Sequence, residues 1–375
     1  MKTLQLGERG QGAQVFDAVT VFELQCTELR ERAKRLGVSE AELVARQLGV
    51  TARPVACRPV EIFPRLPALG RIMCLTRNPW AVHERYGQFQ RVEVNPKVGL
   101  VLGTDIDLRL FFSHWKHAWE VTDGGRTSLQ FFDAHGVAIQ KIFQTDDTDR
   151  AAWKTLMDEL ALAPASGSGS VQPAEASASS SSVDGADAAL PIFEPLPLVV
   201  QDHGAMLDAA ARTQLRERWL AMTDPHQFWP MLQALKLSRI TAVRAVGEDQ
   251  AQQVDRLAVE TVLQKASDTD LPIMVFVGNQ AAVQIHGGTV KKLMRTGSWY
   301  NVLDPAFNLH LNTDAIVSCW VVSRPTDDGP VTSLELYADN GDLIAQFFGL
   351  RKPGNPELKG WRALMQSLCR TPLAD

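Results

Sequence analysis

Two positions combine a side chain able to ligate or polarise with a local frame that would aim it. His226 follows Thr223-Asp224-Pro225 and precedes Phe228 and Trp229. Asp or Thr as N-cap and Pro at the first helical position open a helix through WPMLQALKL, with the histidine in its first turn. The positive end of a helix disfavours imidazolium, and neutral imidazole is the form that binds iron or zinc. The aromatic neighbours would wall a flat apolar ligand; a solvated, hydrogen-bonding histidine fits the same spacing. Arg109 lies in LVLGTDIDLRLFF, whose alternation puts Asp105, Asp107 and Arg109 on one strand face and Ile106, Leu108 and Leu110 on the other. Read alone, that is a solvated face with compensating charges. His114 and His117, interleaved with Trp115 and Trp119, share a face only on a helix. Without Asp, Glu or Cys ligands in register they read as structural or surface residues. No nucleophile elbow, P-loop, GxGxxG unit or HExxH motif occurs in a usable context, which withdraws support from most familiar enzyme classes.

What must position these residues is a duplicated unit. GRIMCLTRNPWAVHERYG (70–87) aligns with DLPIMVFVGNQAAVQIHGG (270–288) at an offset of 201, pairing Met73 with Met274, Asn78 with Asn279 and Val82 with Val283. The same offset pairs Arg109 with His310, and Trp119 with Trp320. It becomes 205 across GGRTSLQFFDAHGVAI and DGPVTSLELYADNGDLI, where Ser128 meets Ser333 and Gly136 meets Gly341. Two long copies indicate a duplicated domain rather than a solenoid. Runs such as RIMCLTR, LQFFDAHG and LIAQFFG are short or alternating apolar stretches closed by Gly, Asp and Asn, the pattern of strands joined by hairpins. A capping box from Ser39 to Glu42 opens a helix through LVARQLG, with Gly49 as its stop. The expected fold class is α+β: a tandem duplication, each half made of helices plus a large antiparallel β-sheet.

Residues 163–190 hold almost no large apolar side chains and many Ser, Ala, Gly and Asp, which predicts a flexible linker between an N-terminal half, 1–162, and a C-terminal half, 191–375. Apolar residues make up 45% of the 375 and charged residues 22%, an ordinary globular balance that argues against global disorder. The formal charge of -5 gives no electrostatic footprint for nucleic acid. Five scattered cysteines without a close pair point to a reducing compartment. The first residues lack the apolar core of a secretory signal and no apolar run has spanning length, so a cytoplasmic protein without a membrane span is expected.

The strings GLVLGTDIDLRLFFSHWKHAWEV, RTSLQFFDAHG, TDPHQF, MVFVGNQAAVQIHGG, NVLDPAFNLHLN and RPTDDGPVTSLELYADNGDLIAQFFGLRKPG resemble the bacterial haemin transport and haemin-degrading factor family of the HemS/HmuS type. The resemblance spans both halves and excludes the linker. It implies a cytoplasmic haem-binding protein (heme, iron protoporphyrin IX) associated with haem uptake. It makes His226, in the T-D-x-H-x-F pattern, the axial iron ligand. Arg109, in D-I-D-L-R, becomes the distal residue, a guanidinium that donates hydrogen bonds to water, hydroxide or dioxygen on the iron and cannot titrate away. Phe111 would present its ring to the porphyrin, while Arg239 and Arg324 would pair with propionates or the distal solvent network. Trp229 and the long linker depart from the family pattern, and a crowding Trp229 would alter haem orientation or release.

Two functions follow from that resemblance. A carrier would take haem from an inner-membrane importer and pass it to a downstream haem oxygenase. An enzyme would open the porphyrin with a reductant and dioxygen or peroxide, Arg109 acting as its distal catalytic residue. A β-rich protein with a decayed haem site is disfavoured by the two intact motifs.

Overall fold

Burial alternates residue by residue along Asp107–Phe111 and Ile273–Gly278, as it must where one face of a sheet enters a core and the other does not. The computed structural model describes residues 29–47, 51–162, 191–196, 199, 201–202, 204–352 and 354–374. The strands of the first half are β1 (Ala52–Val55), β2 (Gly70–Arg77), β3 (Ala81–Gly87), β4 (Arg91–Val94), β5 (Val98–Leu102), β6 (Asp107–Phe111), β7 (His117–Asp123), β8 (Arg126–Phe132) and β9 (Ala138–Thr148). Those of the second are β10 (Ala251–Val254), β11 (Ile273–Gly278), β12 (Ala282–Gly288), β13 (Leu293–Thr296), β14 (Trp299–Asp304), β15 (Phe307–Asn312), β16 (Ser318–Arg324), β17 (Val331–Tyr337) and β18 (Leu343–Gly349). They form two nine-stranded antiparallel sheets, in the orders β1-β7-β8-β9-β2-β3-β15-β14-β13 and β10-β16-β17-β18-β11-β12-β6-β5-β4.

Each sheet thus takes six strands from one half and three from the other. The division of the sequence at 163–190 separates the two copies but not the two sheets. Strand β6 pairs with β12, Val283 opposite Arg109, and β15 pairs with β3, Leu309 opposite His83. The exchange covers what would otherwise be two long exposed edges, β3 and β12. It is pinned where the copies meet. The Asn78 side-chain amide donates to the carbonyls of Gly278 (3.0 Å) and Ile344 (2.8 Å), and that of Asn279 donates to Arg77 (3.0 Å) and Ile139 (2.9 Å). Each carboxamide oxygen accepts the amides two and three residues ahead of it.

The inner faces of the sheets form two cores. One packs Ile72, Cys74 and Phe131 of the first sheet with the visiting Val101, Leu108 and Leu110, under the helices α1 (Pro59–Ile62) and α2 (Arg150–Leu160). The other packs Val275, Leu334 and Phe347 with the visiting Leu309 and Leu311, against α3 (Ala258–Asp268) and α4 (Lys359–Leu368). Ser39 caps the short helix Glu40–Ala45 through the expected capping box, and this helix lies on the outer face of the first sheet. Gly136 and Gly341, the matched hairpin-turn glycines, have φ of 75° and 82°. A Cβ at either would lie 2.2 Å from Ser39 Oγ or from the Asp202 carbonyl oxygen. His114 ends a 3₁₀ turn and His117 starts β7, where its ring stacks on Trp119 at 5.7 Å, so the pair shares no helical face. Gly49, Cys26 and the linker 163–190 lie outside the described residues. No helix among the described residues is long and apolar enough to cross a membrane.

Between the sheets His83 and His286 are buried, and none of their four ring nitrogens has a hydrogen-bond partner among the described residues. His286 stacks on Phe307 at 3.7 Å. Burial, reinforced by Arg85, pushes the His286 imidazole down to about 3, and burial beside His286 pushes His83 well below its ordinary value. Both rings are therefore neutral when folded, whereas in the unfolded chain they take up protons near pH 6.5. Stability should be full above that pH. As pH falls from about 6.5 towards 3 it should decline by up to about 1.4 kcal/mol per unit for each histidine, read as a falling urea midpoint. Asn279→Ala should cost about 2–4 kcal/mol in the same assay, because two buried carbonyls lose their donor.

Candidate functional site

Local chemistry shapes the histidine turn first. Asp224 is the N-cap of a 3₁₀ turn, Pro225–Gln227, that runs directly into helix α5 (Phe228–Leu235). Its Oδ1 accepts the His226 backbone amide at 2.7 Å and lies 2.6 Å from His226 Nδ1. Those two contacts, backbone first, hold the Asp224 carboxyl below its usual range. With Nδ1 carrying the proton that Asp224 accepts, Nε2 keeps its lone pair for a metal. The His226 side chain is 90% exposed, so that lone pair is accessible. Gln227 bridges back to the Thr223 amide, and the Asp327 amide donates to the Thr223 carbonyl, which ties the turn to the β16–β17 hairpin.

Beneath the turn, two guanidinium groups lie against the Phe228 ring. Arg324 Cζ stands 4.2 Å and Arg239 Cζ 4.9 Å from its ring centroid, and the Trp219 ring meets it edge-on at 5.2 Å. Both arginines are held by one buried carboxylate. Glu335 accepts Arg239 Nε (3.0 Å), Arg324 Nη2 (2.6 Å), the Tyr337 hydroxyl (2.6 Å), Ser333 and Gln346. Burial alone would push this carboxyl up; the two cations beside it hold it well below the usual range. Helix α5, with its neighbours α6 (Arg239–Ala245) and Ala209–Leu220, thereby covers Trp320, Val322 and Tyr337 on the outer face of the second sheet. Arg239 and Arg324 thus sit under the histidine turn, with their charge shared with Glu335. Trp229, three residues beyond His226, is 61% exposed.

The same outer face continues past the helices. Opposite residues share a face, so the row Glu335–Gln346–Phe276–Ile285–Asp107 crosses the sheet from the helical cap to β6. That is four strand spacings, roughly 19 Å. Met274, Phe276, Val283 and Phe348 floor it as half-exposed side chains, with the Phe276 and Phe348 rings 5.1 Å apart. Arg109 and Phe111, on the Asp107 face of β6, bound its far side, and Phe111 is 40% exposed. Arg109 Nη1 pairs with Asp107 and donates to the Leu108 carbonyl at 3.1 Å, leaving Nε and Nη2 as donors among the described residues. The structure therefore places Arg109 and Phe111 on one sheet face with the anchored histidine turn at the opposite end; His226 and Arg109 are not in contact.

The repeat-related face of the first sheet differs: a cavity there is lined by Val44, Ser128, Gln130, Lys141 and Phe143, and among the described residues no row of half-exposed apolar side chains matches the floor of the second. Met73, Leu75 and Phe143, the counterparts of Met274, Phe276 and Phe348, are buried. His310, the counterpart of Arg109, is buried with Nδ1 2.9 Å from Asn301 Oδ1. No group of three or more metal-ligating side chains occurs among the described residues.

The profile described as "Haemin-degrading HemS.ChuX domain" matches residues 37–160 and 236–368. The chain belongs to the HemS/ChuX haemin-degrading family. Within that family it is 35% identical over 350 residues to "Hemin transport protein HmuS" of Yersinia pestis, spanning 92% of this chain and 94% of the relative. The apo form of PhuS, "a heme-binding protein from Pseudomonas aeruginosa", superposes with a TM-score of 0.79 at 37% identity, covering 95% of this chain and 98% of the other. ChuS, "an E. coli Heme Oxygenase", superposes at 0.78 with 34% identity, over 92% and 97% of the two chains. These two-repeat structures bear out the duplicated α+β fold read from the sequence.

Two features escaped the sequence reading. The carboxylate contact to the imidazole was hidden because Asp224 already had a role as cap. Glu335 left a fainter signal, a lone carboxylate in a strand whose other residues are all apolar or small polar, VTSLELY. Removing its charge leaves two buried guanidinium groups unmatched. Glu335→Gln should therefore destabilise the protein by about 3–5 kcal/mol, measured by chemical denaturation.

Proposed function

We propose that this HemS/ChuX-family protein binds haem on the outer face of its second sheet and carries it through the cytoplasm, from an inner-membrane importer to a downstream haem oxygenase. The observation that carries the reading is the contrast between the two repeat-related faces. Only the second has a half-exposed apolar floor, an accessible imidazole with its tautomer set by a carboxylate, and an always-charged guanidinium across the floor. A flat tetrapyrrole suits such a surface, because burying apolar area against Met274, Phe276 and Phe348 stabilises it by about 25 cal/mol per Å². In this reading His226 Nε2 is the axial ligand, Phe111 contacts the ring, and Arg109 is the distal donor. The excess of two guanidinium groups over Glu335 attracts the propionates to the end of the face where Arg239 and Arg324 lie. A single protein ligand on an exposed turn favours hand-over, since one bond must break.

A second reading, haem degradation, draws on ChuS, the related structure described as a haem oxygenase, and on Arg109, whose fixed charge suits stabilisation of developing negative charge. It requires a reductant and dioxygen or peroxide. Anaerobic addition of one equivalent of haemin, then ascorbate, air and catalase, separates the two. Bound haem that survives and moves intact to an apo-oxygenase faster than it dissociates establishes the carrier; a discrete ring-opened product with iron release establishes the enzyme. His226→Ala should weaken haemin binding at least tenfold and shift the Soret band, while Arg109→Ala should change affinity by less than about threefold. An unchanged ferric spectrum in His226→Ala would remove the axial assignment.

A further inference from the structure

The axial turn carries its charge in an unusual place. Asp224 Oδ1 is held by the backbone amide of His226 at 2.7 Å and simultaneously meets Nδ1 at 2.6 Å, so the carboxylate is locked against the ring by the cap itself. A neutral carbonyl in that position would set the tautomer equally well. A carboxylate does more: it draws the Nδ1 proton, enriches Nε2 in electron density and makes it the stronger donor to a cation of higher charge. The hairpin tip adds Asp327 and Asp328 beside the same turn. Arg351, which donates to Asp328 at 3.1 Å, is the cation there.

We propose that Asp224 makes this site selective for ferric over ferrous haem, so that one-electron reduction of the cargo loosens it. The inference rests on His226 being the iron ligand. The step is a transfer of one electron from a low-potential one-electron donor to the iron, lowering the charge of the cargo by one; no bond of the protein is made or broken. Binding and reduction are linked, so the factor by which ferric haem binds more tightly is the factor by which the bound haem is harder to reduce. Tenfold corresponds to 59 mV for one electron. The process that consumes the cargo is then one that reduces haem as it accepts it.

The test is anaerobic titration of haemin and of dithionite-reduced haem, with the midpoint potential of the complex, on the full chain and on Asp224→Asn and Asp327→Asn. Asparagine still caps the turn and still accepts from Nδ1, so the first variant removes charge and little else. Ferric haem should bind the unaltered protein at least about tenfold more tightly than ferrous haem. Asp224→Asn should reduce that ratio at least about threefold and raise the potential in step, and Asp327→Asn, which leaves the ring contact alone, should move both less. A ratio unchanged in Asp224→Asn, or moved equally by both variants, overturns the role of Asp224. A histidine-free spectrum in the unaltered protein overturns it together with the axial assignment, and spectrum and ratio tell these failures apart.

Discussion

The strand exchange governs everything else in this molecule. Its two hinge points are Asn78 and Asn279, whose carboxamides each donate two hydrogen bonds to carbonyls of the opposite half and accept two from their own turn. Because the turns are fixed in this way, β6 leaves its own half and lies beside β12. Arg109 and Phe111 consequently belong to the sheet on which the His226 helix rests. Had β6 stayed with β3, the guanidinium and the imidazole would stand on different sheets, and no shared face would exist.

Duplication supplied two equivalent outer faces, and divergence of a few side chains made them different. In the first half, Gln130 occupies the position of Glu335, and the buried charge is instead Glu40, bonded to Arg77 and Lys141. Met73, Leu75 and Phe143 on that face are buried. In the second half the buried carboxylate collects two arginines, whose guanidinium groups lie against Phe228. Buried ion clusters of this kind contribute little net stability, because desolvation consumes most of the Coulombic gain. Their consequence here is geometric: the first residue of helix α5 is immobilised, and with it the turn that presents His226.

The preorganisation is graded from the core outwards. Glu335 is fully enclosed, the arginines are largely so, Phe228 is buried beside them, and the turn residues Asp224 and His226, with Trp229, reach solvent. An exposed imidazole on a rigid support can accept and surrender a ligand without reshaping its surroundings.

Much of this was legible in the residues themselves. The offset of 201, the paired asparagines, the alternation around Arg109, the cap at Asp224 and the capping box at Ser39 are local or periodic signals, set by backbone sterics and by which side chains must avoid water. The resemblance of TDPHQF and DIDLR to family motifs singled out His226 and Arg109. Which strand lies beside which was not legible, because an edge strand will bond to any suitable neighbour and nothing in β6 alone distinguishes β12 from β3. Nor was the partnership of Glu335 with Arg239, 96 positions away, and Arg324, 11 positions away, which meet it only when helix α6 packs on β17 and β16 pairs beside β17. The sequence by itself determined the repeat, the strands and the residues able to do chemistry. Only the tertiary structure decided which face stayed open and which groups share it, since both depend on contacts between segments that chain connectivity leaves free to choose.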